Sequence, residues 1–150
     1  MAENLVAVFS IGSYTHYKLG FFGVRRTLPV MRTLIFAEKR LVVGEIAKPA
    51  DIDASIKRHT PAYNAALVKF AKEKASSLAN SDSLDSLLEN SDSIAVDYSE
   101  VRRINDNSLL LPQIEVDLKD NTVIRFTSID KSEFKGSMAT LKKAMADKFH

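Results

Sequence analysis

Residues 94–149 read IAVDYSEVRRINDNSLLLPQIEVDLKDNTVIRFTSIDKSEFKGSMATLKKAMADKF, and their periodicity decides the fold. Ile94, Val96 and Tyr98 alternate as one face of a strand, and then Val101 and Ile104 fall out of phase. A bend or bulge at Ser99-Glu100 reconciles the two halves. In the hairpin that follows, a two-residue turn at Asp120-Asn121 would set Val116 opposite Arg125 and spoil the buried face. A three-residue loop, Lys119 to Asn121, instead aligns Leu118, Val116 and Ile114 with Thr122, Ile124 and Phe126. That register is preferred, with Asn121 taking a left-handed conformation. Phe134, Met138, Leu141, Met145 and Phe149 then form one helical stripe, with Ser132 as the expected N-cap and Glu133 and Phe134 in the first turn. Gly136 weakens this helix, but only in its first turn. A closing helix of this kind needs a sheet on which to bury its stripe.

Upstream, Leu5 to Ile11 is a short apolar run that reads as a strand, broken at Gly12-Ser13 and continued in extended form through Tyr14, His16 and Lys18. The stretch LGFFGVRRTLPV reads as a loop. Residues 32–46 form a hairpin in which Phe36 faces Leu41, Ile35 faces Val42 and Leu34 faces Val43, so that apolar meets apolar on both faces. Between the two β-rich regions the character changes. Thr60-Pro61 opens a helix carrying Tyr63, Leu67, Phe70 and Leu78, with shorter helices expected at Ile52 to Ile56 and around Leu84 to Leu88.

The bulk numbers bound the function more than they name it. One domain spanning 1–150 suits this length. The absence of cysteine excludes disulfides and thiolate metal sites and suits a reducing compartment. The first residues lack a secretory pattern and no apolar run is long enough to span a bilayer, which predicts a soluble cytoplasmic protein, with the inner membrane face as the alternative address. A net charge of +2 is too small to imply nucleic acid. The excess sits early: residues 1–48 hold seven Lys/Arg against three Asp/Glu, or +4, whereas residues 94–150 hold nine against nine.

Three segments resemble the pleckstrin-homology-like superfamily, in particular its bacterial and GRAM-type branches. The hairpin TLIFAEKRLVVG is similar to that family's third and fourth strands, with Arg40-Leu41 matching a Thr-x-x-Arg-Leu turn and Ala37 standing at the threonine position. Ile94, Val96, Tyr98, Ser99, Glu100 and Val101 resemble an I-x-(I/V)-x-Y-S-(E/D)-(I/V) pattern at the start of its fifth strand. QIEVDLKDNTVIRF and the amphipathic helix resemble its closing hairpin and cap. The resemblance covers residues 5–46 and 84–149. It implies an α+β fold, a seven-stranded antiparallel sandwich or open barrel capped by the C-terminal helix, with a helical insert (roughly 47–90) between strands four and five.

What that fold would do is narrowed by a search for sites. Lys18, Phe21, Phe22, Arg25, Arg26 and Arg32 pair cations with aromatics, a combination suited to lipid phosphates at a membrane interface. Phosphoinositide-binding family members carry a Lys, spacer, (Lys/Arg)-x-Arg pattern, from which the adjacent Arg25-Arg26 departs. The plainer reading, phenylalanines packed under a loop and arginines solvated, carries more weight. Tyr63, Leu67 and Phe70 on the insert helix offer a partner-binding face, or simply pack on the sandwich. His16, His59 and His150 are too scattered for a metal site, and Glu115 and Asp117 read as the solvated face of a strand. Asp82, Asp85, Glu89 and Asp92 lack the spacing and central glycine of a calcium loop. No phosphate-binding or nucleophile-elbow motif occurs. The expectation is a non-catalytic module without cofactor or metal that engages a protein or peptide partner or assembles with itself. Peripheral binding to an anionic membrane through residues 18–32 is the alternative.

Overall fold

The computed structural model describes residues 4–20, 23–26, 28–78, 81–89 and 92–149. In chain order the elements are β1 (Leu5–Gly20), β2 (Gly23–Arg26), β3 (Val30–Ala37), β4 (Arg40–Gly44), α1 (Pro61–Ser77), α2 (Ser81–Leu88), β5 (Ile94–Asp97), β6 (Val101–Asp106), β7 (Gln113–Leu118), β8 (Thr122–Ser128) and α3 (Lys131–Ala144). The fold is α+β. Seven antiparallel strands follow one hydrogen-bonded path, β5-β4-β3-β1-β8-β7-β6, and β2 pairs with β1 beside it. β5 and β6 lie at opposite ends of this path, yet only the 3₁₀ turn Tyr98–Glu100 separates them in sequence. The sheet therefore curls until its two ends approach, as an open barrel does.

Both predicted hairpin registers are observed. Phe36 faces Leu41, Ile35 faces Val42 and Leu34 faces Val43. Ile114 faces Phe126 and Val116 faces Ile124, with Asn121 at φ 70° in the loop. The break at Ser99-Glu100 is the 3₁₀ turn itself.

The first third differs from expectation. Gly12-Ser13 does not end a strand: β1 runs through it for 16 residues. A bulge falls there instead, because Phe9 pairs with Leu34 while Gly12 pairs with Arg32, leaving Ser10 and Ile11 against Thr33 alone. The extra residue turns Ile11 to the outer face and returns Tyr14 to the inner one. Gly12 is needed for closeness, since a Cβ there would stand 2.5 Å from both the Phe126 ring and the Thr127 carbonyl. Nor is LGFFGVRRTLPV simply a loop. Gly20 pairs with Gly23 and Lys18 with Arg25, so β1 and β2 continue the ladder antiparallel to each other; Phe21 and Phe22 lie outside the described residues.

Merging two expected strands into one shifts the insert. Taking the seven path strands in chain order, with β2 left aside, α1 and α2 come between the third, β4, and the fourth, β5, not between a fourth and a fifth. Those two strands pair directly with each other, so the insert leaves and re-enters one ladder. The expected short helix at Ile52 to Ile56 is absent; a 3₁₀ turn at Pro49–Asp51 takes its place.

Burial explains where the helices go. Inside the curl, Phe9 makes edge or tilted contacts with Phe36, Phe126 and Phe134 at 5.6–6.1 Å between centroids. α3 closes this interior with Phe134, Met138 and Leu141. On the outer face, α1 sets Tyr63, Leu67 and Ala71 against Ile11, while Leu78 and Leu84 cover Ile35, Ala37 and Val42. The hairpin of β3 and β4 is apolar on both faces because both faces are covered. Thr60 caps α1 as expected, its side chain accepting from the Tyr63 amide.

α3 starts one position before Ser132, which lies inside it. Its N-cap is Asp130, whose carboxylate accepts the Glu133 amide and meets Lys72 of α1 at 2.6 Å. Glu133 reaches back across the sheet, taking the Ser10 amide at 2.6 Å and the Ser10 hydroxyl at 2.5 Å. The amide released by the bulge is thereby satisfied. Because the helix begins at Lys131, Gly136 falls in its second turn. Met145 and Phe149 lie past the helix end, Phe149 bridging to Ile104 of β6.

Two glycines should respond oppositely to alanine. In urea unfolding, Gly12→Ala is expected to cost about 2–3 kcal/mol by overpacking. Gly136→Ala, where a Cβ meets nothing within 4 Å, should stabilise by about 0.5–1 kcal/mol. Asp130→Ala should cost about 1–2 kcal/mol at neutral pH through the lost cap. The Lys72 hydrogen bond and the helix-end amides hold the Asp130 carboxyl below the usual carboxylate range. Its stabilisation is therefore complete above about pH 4 and fades as the pH falls through the lowered value. The gap between wild type and variant should close in that acid window.

Candidate functional site

Of the six sequence candidates, Lys18 and Arg32 are the two whose side chains are described, and they stand apart along the sheet. Lys18 is exposed near the end of β1, opposite Arg25 on one side and Thr122 on the other. Arg26 pairs in register with Tyr17. Phe21 and Phe22 lie outside the described residues. Arg32 is half-buried and bonded to Glu45 at 3.1 Å. It stands level with Gly12, six residues along β1 from Lys18, or about 20 Å at strand rise. Nearby, burial raises the Tyr14 hydroxyl to about 12 against the opposing field of Arg32, and Tyr14 bonds His16 at 2.9 Å.

The carboxylates of β7 are not solvated. Asp117 is buried and accepts Arg103 Nε at 3.0 Å and Nη2 at 2.8 Å, with Asn105 at 3.2 Å. Glu115 accepts the Tyr17 hydroxyl at 3.0 Å and Arg125 at 3.3 Å. Burial and the neighbouring Glu115 raise the Tyr17 hydroxyl above its ordinary value. A carboxylate already engaged by arginine and amide donors is a poor general base. These pairs hold the outer face of β6, β7 and β8 together by hydrogen bonding where apolar packing is missing. Among the described residues no group of three or more His, Asp or Glu could hold a metal ion.

A different edge carries the unexplained chemistry. Between β6 and β7 the chain reads Asn107-Ser-Leu-Leu-Leu-Pro112, and Leu109, Leu110 and Leu111 are 95%, 89% and 55% exposed. The base of this loop is tied down: the Asn107 amide donates to Gln113 and the Ser128 amide to Pro112. Beside it, a groove of about 500 Å³ runs against α3. Phe134, Met138 and Ala139 supply apolar lining, and Lys131, Lys135 and Lys142 line it from α3. Lys142 bonds Asp106, the carboxylate of the groove. Burial alone would raise the Asp106 carboxyl, but hydrogen bonds from Lys142 and Ser108 outweigh it and hold the group below the usual range. Lys131 and Lys135 form no ion pair among the described residues.

Sequence reasoning missed this loop, although its signal is plain. Three consecutive leucines set between a polar run, Asn-Asp-Asn-Ser, and a proline fit neither strand alternation nor a helical stripe. No helix of the described residues is long and apolar enough to cross a membrane. Neither a protein-family model nor a curated protein matches the chain.

Asp117→Ala should destabilise by about 2 kcal/mol, because Arg103 and Asn105 lose a shared buried acceptor. Chemical denaturation would check this; a change within about 0.5 kcal/mol would mean that solvent replaces the network.

Proposed function

We propose that the chain is a non-catalytic docking module of pleckstrin-homology-like architecture, working through the β6–β7 loop and the groove beside α3. The architectural part is supported by the curled seven-strand path, the sharp turn at Tyr98–Glu100 and the closing helix. The continuous β1 and the insert between β4 and β5 are departures from the pattern the resemblance implies. The docking part rests on one observation: two adjacent leucines almost fully exposed beside a lysine-lined groove. Leaving such a run in water gains nothing for folding, and contiguous exposed apolar surface marks an interaction site. The non-catalytic part draws support from Glu115 and Asp117, which are committed to structural pairs.

A protein or peptide segment lying in the groove is the second reading, favoured by its concavity. Both readings place the contact away from residues 18–32.

The anionic apolar dye 1-anilinonaphthalene-8-sulfonate reports such a surface directly. Folded wild type should bind and brighten it. L109S/L110S should weaken binding at least roughly tenfold, since burying each leucine is worth about 1.5–3 kcal/mol. Both sites are exposed, so the thermal unfolding midpoint should not move. Dye binding unchanged in L109S/L110S and in K131A/K135A would place the docking surface elsewhere.

A further inference from the structure

We infer that the β6–β7 loop inserts into an anionic lipid surface, with Lys131 and Lys135 facing its phosphates; this rests on the docking reading above. The shape of the edge favours lipid over a protein groove-binder. Leu109 and Leu110 line one side of the groove and yet stay 95% and 89% exposed, so the groove itself does not cover them. A short loop of adjacent, nearly uncovered leucines suits a fluid apolar phase, which closes around it, whereas a protein partner needs a broad complementary footprint. The loop is also pre-ordered. The Asn107–Gln113 and Ser128–Pro112 hydrogen bonds close the loop's base, and Ser108 bonds the Asp106 carboxylate. Insertion thus requires no new folding of the loop.

Charge points the same way. The groove is lined by three lysines and one carboxylate, and Lys142 is committed to that carboxylate. Lys131 and Lys135 remain, one helical turn apart, about 6 Å along the axis. They lie alongside the apolar stripe of α3, where snorkelling ammonium groups reach head-group phosphates as the leucines enter the acyl boundary. The groove's cations are exposed lysines, with no convergent buried donors among its lining residues. Binding should therefore follow surface charge density rather than head-group structure. Leucines and lysines each supply a modest, reversible term, so neither set suffices alone.

The position of the loop makes this separable from the basic hairpin. The loop's base is bonded at Ser128, whereas Lys18 faces Thr122 at the other end of β8, about 20 Å away along the strand.

The test is sedimentation with phosphatidylcholine vesicles, with and without phosphatidylserine. Wild type should bind the phosphatidylserine vesicles, weaken as salt is raised, and bind equally well when phosphatidylglycerol replaces phosphatidylserine at the same charge. L109S/L110S should lose roughly tenfold or more in partitioning, K131A/K135A roughly tenfold with a shallower salt dependence, and R25A/R26A nothing. Binding abolished by R25A/R26A but untouched by L109S/L110S would overturn the inference. Dye binding at the leucine edge without vesicle binding would also overturn it, while leaving the docking reading intact. Loss of both would overturn both.

Discussion

Everything in this molecule follows from the shortness of one connection. β5 and β6 end opposite sides of a seven-strand path, and three residues, Tyr98–Glu100, join them. Laid flat, the path would separate those strands by about 29 Å, six inter-strand spacings. Three residues reach about 10 Å. The sheet has to curl. The corner is secured from several directions: Asp97 accepts the Ser99 amide, the Tyr98 hydroxyl donates to the Ala37 carbonyl, and the Lys119 amide donates to Glu100. Curling creates the interior in which Phe9, Phe36 and Phe126 meet, and leaves an opening that α3 covers.

The same curl produces an outer surface that the chain treats in two ways. Over β3, β4 and the first half of β1 that surface is apolar, and α1 and α2 cover it. Over β6, β7 and β8 it carries paired charges and amides that face outward without packing. The insert is thus part of the fold's stability. Ile35 and Val42 would be stranded in water without it. The Lys72–Asp130 contact links the outer layer to the first turn of the closing helix, so the two layers settle together.

Local pattern carried the second half of the sequence well. Strand alternation and cross-strand apolar matching fix register one pair at a time, so the phase break at Ser99 and the Asn121 loop were legible from residues alone. The first third was not legible in that way. Gly12 looks like a strand breaker in sequence, but its role is to admit the Phe126 ring, which lies more than a hundred residues away. Asp130 outcompetes Ser132 as the cap because Lys72, from another layer, completes its hydrogen bonding. Glu115 and Asp117 alternate like a solvated face, yet arginines placed beside them by folding take up their charge. In sequence, residues 18–32 stand out as a cation–aromatic cluster. Register separates Lys18 from Arg32 along β1, while the apolar run Leu109–Leu111 in a polar loop is left exposed by folding.

The end of the described chain also bears on how this protein meets others. Ala146–Lys148 and Phe149 lie along β6, Phe149 bridging to Ile104, while Lys148 bonds the Tyr98 and Val101 carbonyls. Open strand edges are templates for pairing with another chain, the route to edge-to-edge aggregation. Here Phe149 bridges one position of the β6 edge, and the β5 edge is four residues long and ends in Asp97. At these two edges the ladder offers little backbone to extend, and contact with a second molecule there falls to side chains.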